Sequence, residues 1–396
     1  MKKIWDKKGG LQINKAVENY TVGVDYLLDL ELLPYDIQGT IAHAKMLHKI
    51  KIVSSKELAF LLKGLNEILT LWKKGKFKID KSQEDSHTAI ESYLTEKYGE
   101  VGKKVHTGRS RNDQSLTMLR LFIKDMLLQT KKETLSLIKE IENKNKKIGK
   151  IKMPGYTHMQ RAMPSSVGMW LESFHHSLLD DLVIINATIE VINQNPLGSA
   201  AGFGENILGL DRKFTTKELN LKKVQENPMY CALSRGKFEN ISLQALSNIM
   251  FSIGKLADNL LLYTTREFDF FNLPDSFKTG SSIMPQKKNY DVLELVRGNV
   301  SIVNGYRNQI ENVIKNLSSG YNRDFQLTKE PYLRGMKLAL ETIQVMTLIV
   351  KNLEAKKNNL ENACSPELYA TDEALKLVKK GKTFREAYQE IKEIYY

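Results

Sequence analysis

Five short segments collect the hydroxyl, imidazole, amide and charged side chains that enzymes use for proton transfer and anion binding. They lie far apart along the chain, and polar residues fill most positions in each of them. The segments are Ser82–Glu91, His106–Gln114, Pro154–Ala162, Gly280–Asn289 and Gly320–Lys329. Polar connections of this kind between regular elements are typical of a scaffold that presents a functional site.

The segment Gly280–Asn289 combines a flexible Gly-Ser-Ser entry, one proline and a Lys-Lys-Asn cluster. A loop of this composition can close over an anion and present backbone N–H groups, a hydroxyl and ammonium charges to it. A mobile surface loop whose lysines only keep the protein in solution would have the same composition. The segment by itself favours neither interpretation.

Two further segments carry ionisable side chains that could act on a ligand. Arg109, Arg111 and Asn112 lie where a long helix is predicted to begin, and they could bind carboxylates together with the N–H groups of the helix start. The alternative is a helix-capping loop with Asp113 near the N-cap. His158 follows a predicted Pro-Gly turn and could be a general acid or base, because its reference pKa lies near neutrality. A structural histidine is the alternative there.

Long helices are predicted to position these segments. The stretch Arg109–Ile148 contains neither glycine nor proline, and its apolar residues recur in three- and four-residue steps. A helix over most of it would be roughly 50 Å long at about 1.5 Å per residue, which suits a helical bundle. The same periodicity predicts long helices over Gly168–Asn195, Phe238–Phe271, Asp291–Leu317 and Pro331–Leu360.

The chain is therefore predicted to be mostly α-helical, with no alternating strand series and no βαβ rhythm. Three regions are predicted: an N-terminal helical domain over 1–107, a central long-helix bundle over 108–355 and a short C-terminal helical domain over 356–396. Glycines interrupt the long helices and cost helix propensity, so close helix packing is expected at Gly254, Gly298 and Gly305.

Composition bounds the class of protein. The chain has 396 residues, 42% of them hydrophobic and 27% charged, as in an ordinary globular protein. It has no apolar run of membrane-spanning length and no signal-peptide core, and two distant cysteines cannot form a disulfide framework. A cytoplasmic protein is expected. The net charge of +13 suits a lysine-rich surface or a small anionic substrate better than a nucleic-acid site, because the lysine runs lack interleaved aromatics.

The loop Gly280–Asn289 resembles the Gly-Ser-Ser-x-Met-Pro-x-Lys-x-Asn signature of the fumarase/aspartase superfamily. Four segments resemble the argininosuccinate lyase family in particular: Gly108–Gln114, Glu84-Asp85-x-His87, the Gln286–Asn289 form of the loop, and Tyr321–Lys329. The similarity runs from about Tyr20 to about Tyr388. This resemblance implies an all-α fold of three helical domains with a central long-helix bundle. It also implies a homotetramer whose active sites are each built from loops of three subunits, with no metal and no organic cofactor.

The resemblance implies β-elimination of argininosuccinate to arginine and fumarate through a carbanion. It assigns Ser281 as the base, with Lys287 and Asn289 binding the carboxylate on which charge develops. His158 matches the histidine assigned to acid–base work, and Glu294 matches its carboxylate partner. Whether the serine or the histidine takes the proton stays open.

The resemblance also implies a set of substrate contacts. The acidic Asp85 suits the cationic arginine moiety, whereas Arg111, Asn112 and Thr157 suit carboxylates. The full set of expected substrate-binding residues is Thr21, Asp85, His87, Arg111, Asn112, Thr157, Asn289, Tyr321, Gln326 and Lys329.

The sequence departs from the family pattern at three places. Tyr290 replaces the proline that usually follows the loop asparagine, which bears on the rigidity of the loop. The tryptophan-glycine stretch of the N-terminus is only faintly echoed by Trp5–Gly10, and Thr21 replaces a nearby substrate-binding serine. The chain stops soon after Phe384–Ala387, so a shortened C-terminal domain and a less stable tetramer are expected.

Three rival functions follow from the same residues. Another lyase of the superfamily, such as adenylosuccinate lyase, is disfavoured by the Arg-rich segment and the Lys-Lys-Asn loop. A catalytically silent relative like the lens δ-crystallins is disfavoured because Ser281, His158, Lys287 and Glu294 are all present. A nucleic-acid-binding helical protein is suggested by the positive charge alone.

Overall fold

The computed structural model of the protein describes residues 14–395, and the stretch Trp5–Gly10 lies outside them. Helices make up most of the described chain, which confirms the predicted all-α class. The helices are α1 Lys15–Val22, α2 Asp25–Lys49, α3 Ser55–Lys73, α4 Ser86–Tyr98, α5 Glu100–Lys103, α6 Arg111–Ile148, α7 Val167–Ile192, α8 Arg212–Glu218, α9 Pro228–Leu233, α10 Lys237–Tyr263, α11 Asp291–Ile314, α12 Lys329–Asn352, α13 Lys357–Asn362, α14 Ala370–Lys379 and α15 Phe384–Tyr395. Within residues 14–395, no helix is both long and apolar enough to cross a membrane.

Within residues 14–395, short strands form four two-stranded ladders, and the longest of them is a hairpin. The hairpin pairs β1 Lys152–Thr157 with β2 Gln160–Ser166 in antiparallel register. The other ladders pair two residues with two: β3 Gln194–Asn195 with β4 Lys223–Val224, β5 Phe271–Asn272 with β8 Glu354–Ala355, and β6 Thr279–Gly280 with β7 Lys288–Asn289.

The hairpin corrects one detail of the sequence prediction. A Pro-Gly turn was predicted before His158, but Pro154 and Gly155 lie inside strand β1, where the register shifts between Pro154 and Tyr156. The glycine thus occupies an irregular position within the strand, as glycines in strands often do. The turn falls three residues later, because Thr157 pairs directly with Gln160.

Helix α6 runs for 38 residues and begins with a reciprocal pair of capping bonds. The hydroxyl of Ser110 accepts the N–H of Asn112 at 3.3 Å, and Oδ1 of Asp113 accepts the N–H of Ser110 at 2.9 Å. The other oxygen of this buried carboxylate accepts the N–H groups of Gly198 and Ala200 at 3.0 and 3.3 Å. The capping role considered for this segment is therefore present, and it fixes the start of the longest helix.

Helix α10 ends before its predicted boundary. It ends at Tyr263, whereas the sequence predicted a helix to Phe271. The hydroxyl of Thr264 donates to the carbonyl of Leu260 at 2.7 Å and so occupies a carbonyl of the last turn. Local side-chain bonds of this kind satisfy the helix end without a further helical residue.

Helix α12 also ends early, at Asn352 rather than near Leu360. The ammonium of Lys144 donates to the carbonyls of Lys351 and Leu353 at 3.1 and 2.6 Å. A cation at the carboxyl end of a helix satisfies free carbonyls and interacts favourably with the helix dipole. This tertiary contact, absent from any local pattern, explains the boundary.

The chain forms two compact units, each built from separate stretches. The first contains the residues up to Gln129 together with 185–245 and 304–337, and its core lies among α2, α3 and α4. Helix α3 buries Leu61, Leu65 and Ile68 on one face. Burying each such side chain contributes about 1.5–3 kcal/mol. The predicted division into three domains at 107/108 and 355/356 stays a prediction.

The second unit contains residues 130–184, 246–303 and 338–396. The predicted close packing is confirmed at Gly254, where a Cβ would lie 2.6 Å from Cγ2 of Val300. No such packing forms within one chain at Gly298, or at Gly305 of the first unit, since no other group of the described chain lies within 4 Å of a Cβ placed at either glycine, and there it stays a prediction. These two glycines therefore leave an open strip along α11.

Candidate active site

An acidic turn before α4 clamps one of the predicted substrate-binding arginines. Oδ1 of Asp85 caps α4 by accepting the N–H and the hydroxyl of Thr88, each at 2.8 Å. Arg111 places Nη1 at 3.0 Å from Oε2 of Glu84, Nε at 3.4 Å from Oδ2 of Asp85 and Nη2 at 2.8 Å from the hydroxyl of Thr88. All three guanidinium nitrogens are engaged, so Arg111 has a fixed orientation.

A buried ion pair lies next to this clamp. Nδ1 of His87 lies 2.7 Å from Oδ2 of Asp36, and its Nε2 lies 3.1 Å from the hydroxyl of Ser115. Burial alone would lower the pKa of His87, but the carboxylate of Asp36 reverses this, and the pKa is raised. Burial likewise opposes ionisation of Asp36, yet the imidazolium holds the pKa of that carboxyl below its usual value. Both shifts favour the charged form of the pair.

Lys329 is buried between two carboxylates at the start of α12. Its side chain is 1% exposed, and Nζ lies 2.7 Å from Oδ1 of Asp25 and donates to Oδ1 of Asp29. Burial lowers the pKa of this ammonium, and the two carboxylates more than compensate, so the pKa is raised. The other oxygen of Asp29 accepts the N–H of Ser86 at 3.1 Å. Lys329 thus ties together α2, α4 and α12.

A cleft of about 140 Å³ opens on this polar layer in the first unit. It brings together five of the residues predicted to contact substrate, and both acidic and basic groups face it. The lining consists of Val22, Asp25, Glu84, Asp85, Arg111, Asn112, Ser115, Arg235, Tyr321, Arg323 and Gln326. His87 and Lys329 contribute indirectly, because Ser115 and Asp25 are their partners at the wall.

Arg235 is a cleft residue that the sequence reasoning missed. It is 5% exposed, its guanidinium lies 5.5 Å from the ring centre of Tyr321, and its Nε finds no hydrogen-bond partner within residues 14–395. The next residue, Gly236, has φ +75, and a Cβ there would lie 2.4 Å from Cγ2 of Ile314. The only local signal was an arginine before an obligatory glycine at a helix start, which is too common to single out.

The end of α1 is fastened to the cleft from the other side. Arg323 donates to the carbonyl of Thr21 at 2.8 Å, and Nε2 of Gln326 donates to the carbonyls of Thr21 and Val22 at 3.2 and 3.3 Å. The hydroxyl of Thr21 donates back to the carbonyl of Val17 at 2.9 Å. Thr21 therefore turns its backbone, and not its hydroxyl, toward the predicted contacts.

The remaining predicted residues lie in the second unit, and most of them are exposed. Thr157 ends strand β1, and His158 begins a two-residue turn with φ +52, followed by Met159 with φ +61. The strand just before this turn is held by aromatic contacts. The ring of Tyr156 lies 5.5 Å from that of Phe268.

The serine loop spans residues 281–287 and is closed by the β6–β7 ladder, which pairs Thr279 with Asn289. Oγ of Ser281 accepts the N–H groups of Ile283 and Met284 at 3.3 and 3.1 Å. Lys287 is exposed on the same loop. The loop thus carries a hydroxyl that accepts two N–H groups, together with the exposed ammonium of Lys287.

Tyr290, the departure from the family pattern, anchors the base of this loop. Its hydroxyl donates to Oδ1 of Asn272 at 3.2 Å, and Nζ of Lys278 lies 5.6 Å from its ring centre. Lys278 also donates to Oδ1 of Asn272 at 2.8 Å. A tyrosine here thus restrains the loop through side-chain contacts.

The expected pairing of Glu294 with His158 is not formed within this one chain. Glu294 is exposed in the first turn of α11, and His158 is exposed at the hairpin tip. Within the described part of the chain, no hydrogen bond or ion pair joins the two side chains. Their proposed partnership stays a prediction.

The fold and the serine loop define a class of enzyme. Residues 15–305 match the family model described as Lyase. A class II fumarase from Schistosoma mansoni superimposes with a TM-score of 0.78 at 18% identity, over 97% of this chain and 90% of that one. The architecture is that of the fumarase-type lyases, and the chain is a lyase.

Closer relatives place the chain within that class. The argininosuccinate lyase of Thermotoga neapolitana is 40% identical over 393 residues, which are 99% of this chain and 98% of that protein. An EDDS lyase solved in complex with formate superimposes with a TM-score of 0.83 at 26% identity, over 98% of this chain and 76% of that one. The chain belongs to the argininosuccinate lyase family.

Proposed function

We propose that this protein catalyses the reversible β-elimination of argininosuccinate to L-arginine and fumarate, the last step of arginine biosynthesis. The full-length identity to an argininosuccinate lyase carries this proposal. The serine loop and the mixed-charge cleft support it, because the chain carries both groups suited to substrate binding and groups suited to proton transfer. The reaction needs a base and an electrostatic trap for a dianion, and it needs an acid for the leaving nitrogen.

Substrate binding is assigned to the cleft of the first unit. Argininosuccinate carries a guanidinium, an ammonium and carboxylates, so a site for it must present both signs of charge. Asp85 and Glu84 offer the negative side, and Arg235 offers a buried guanidinium with a free Nε. Tyr321 and Asn112 complete the wall with a ring and an amide. Such placement of fixed charges orients a dipolar ligand at little cost in reorganisation.

Catalysis is assigned to the serine loop and the hairpin tip. Ser281 takes the proton from the carbon next to a carboxylate, and the N–H groups that its oxygen accepts stabilise the alkoxide form. The carbanion charge spreads into that carboxylate as a dianion facing Lys287 and Asn289. The carbon–nitrogen bond then breaks, and His158, oriented by Glu294, protonates the departing guanidino nitrogen. Thr157 beside it binds a carboxylate.

We further propose a homotetramer in which each active site takes loops from different copies. Helix α11 leaves a strip uncovered at positions with heptad spacing, Leu295, Gly298, Ile302 and Gly305, and the two large residues are 67% and 50% exposed. An apolar strip with small residues favours packing against a further helix. Another copy could also supply the partner that Glu294 and His158 lack within one chain.

The proposed partners are the small-molecule substrate and other copies of this chain, and the proposed location is the cytoplasm. Both cysteines are free, which suits a reducing compartment. Nothing in the cleft chemistry calls for a metal, an organic cofactor, a membrane or a nucleic acid.

The decisive experiment is ultraviolet detection of fumarate when the purified protein meets argininosuccinate, with adenylosuccinate, malate and aspartate tested beside it. Release from argininosuccinate alone is expected. Release from a different substrate would overturn the proposed specificity, and no release from a folded oligomer would favour a silent relative. Mixing dissociated His158→Asn and Ser281→Ala subunits tests site sharing. Recovery of activity is expected, and its absence from mixed oligomers would contradict shared sites.

A further inference from the structure

The tip of the β1–β2 hairpin has a backbone conformation that its residues disfavour. Thr157 pairs with Gln160, which leaves only His158 and Met159 in the turn, and their φ angles are +52 and +61. A two-residue turn with two positive φ angles is of type I′. Asn-Gly, Asp-Gly or Gly-Gly normally fill such turns, because side chains with a Cβ are crowded in the left-handed region.

The side chain of Met159 does not explain its own conformation. Within one chain it is 68% exposed, so contacts inside the chain contribute little to the stability of the turn. A left-handed conformation costs free energy for a residue other than glycine. Where packing of the side chain does not offset this cost, the surrounding structure must enforce the conformation, and such residues cluster at functional sites. The explanation must therefore come from the backbone that Met159 completes.

The paired strands on either side of the turn restrain its backbone. Met153 in β1 is buried. The ladder extends from the pair Lys152 and Ser166 to the pair Thr157 and Gln160. The ring of Tyr156 lies 6.2 Å from that of Tyr263, and this contact holds the strand just before the hairpin turn against the end of α10. The two strands thus stay paired up to Thr157 and Gln160, which leaves two residues for the turn.

The choice of turn decides where the imidazole points. A type I′ turn follows the right-handed twist of its strands, whereas a turn with negative φ angles would splay them. A negative φ at residue 159 would rotate the peptide that follows His158 and move the tip. An acid placed about 1 Å away from its productive position loses on the order of a hundredfold in rate.

We propose that Met159 is a positioning residue, whose left-handed backbone holds His158 in the orientation needed for proton transfer. This inference rests on the proposed function of His158. The polypeptide keeps a strained turn here because a relaxed one would redirect the imidazole. The contribution of Met159 to the reaction comes from its φ angle and not from its thioether.

The test compares four substitutions at this position in the full-length protein, with fumarate release as the assay. Met159→Gly and Met159→Asn accept a positive φ, and we expect kcat within about twofold and a raised melting temperature. Met159→Leu matches the original side chain and should behave like the unsubstituted protein. Met159→Ile adds β-branching, which opposes positive φ, so kcat should fall about tenfold or more with KM nearly unchanged.

Opposite patterns overturn the proposal. An Ile variant with full kcat would show that the φ angle is unimportant, and a Gly variant as slow as the Ile variant would show that the side chain matters instead. Met159→Val replaces Met159→Ile if the latter does not fold. His158→Ala separates the two levels of inference. Its full activity would overturn the role of His158 itself, whereas its inactivity beside an active Ile variant would overturn only the role of Met159.

Discussion

The two units carry functional groups of opposite character. The first unit contains two sets of buried, paired ionic groups: Lys329 with Asp25 and Asp29, and His87 with Asp36. In the second unit His158, Lys287 and Glu294 are exposed. The side chains of the first group are fixed by their partners, whereas those of the second group are open to solvent within one chain.

The difference follows from the cost of burying charge. An ion taken out of water must find a partner of opposite sign, so the buried groups of the first unit hold each other and the helices that carry them. Groups that must exchange a proton with substrate keep the atom that does so open, so a partner can hold them only from another side. Water must leave them during the reaction, and we propose that loop closure and neighbouring copies remove it. Preorganisation and reactivity are thus assigned to different parts of the chain.

The largest expected effect concerns the exposed group. Ser281→Ala should lower kcat about a thousandfold, because general acid–base groups typically contribute that much, and it should leave substrate binding intact. Steady-state fumarate release and calorimetric binding of argininosuccinate measure the two effects. Ser282→Ala, the neighbouring serine of the same loop, is the matched control and should stay nearly fully active. Near-normal turnover of the Ser281 variant would remove the proposed base.

The next effect concerns the buried group and should appear in stability first. Lys329→Met leaves two buried carboxylates without their cation, which should cost about 3–5 kcal/mol in the free energy of unfolding. Lys337→Met, on the same helix, removes an exposed pair with Glu31 and should cost about 1 kcal/mol or less. Urea unfolding measures both. Equal losses would mean that burial does not distinguish the two lysines.

The smallest effect is a pH dependence of stability. The raised pKa of His87 means that its contribution is complete below the ordinary value of 6.5 and is lost as the pH rises through the raised pKa. The lowered pKa of Asp36 means that its contribution is complete above 3.8 and is lost as the pH falls. His87→Gln should therefore cost most between these values, about 1–3 kcal/mol.

Urea unfolding of the His87→Gln variant across the pH range checks this window. The stability difference from the unsubstituted protein should shrink at alkaline pH, once the native imidazole is neutral. His176→Gln, an exposed histidine outside the site, should show no such trend. A stability difference that stays constant with pH would contradict a charged pair at His87.

Much of the fold could be read from the sequence because helices follow a local rule. The 38 residues of α6 show apolar side chains at helical spacing without glycine or proline, and the helix was predicted within two residues at its start. The boundaries that failed depend on distant residues. Lys144 caps the carboxyl end of α12, and no local pattern near Asn352 reports a lysine that lies far away in sequence.

The candidate site divides along the same line. Residue types and their order were sufficient to nominate Ser281, Lys287 and the other members of the polar segments. They were also sufficient to reveal the resemblance to one enzyme family. They could not tell which of these candidate residues are already held in ion pairs within the chain. Lys329 is held by two carboxylates, and Arg111 is held by an acidic turn. The type I′ turn at His158 was also missed, because its usual glycine or asparagine is absent.

By itself, the sequence of this protein determined the helical class and the family and nominated the candidate catalytic residues, because periodicity and motifs are local properties of the chain. Only the tertiary structure decided which charges pair, that Arg235 faces the cleft and that Met159 takes a left-handed conformation. The physical reason is that ion pairing, burial and strain arise between groups distant in sequence, and their free energies exist only once the chain has brought those groups together.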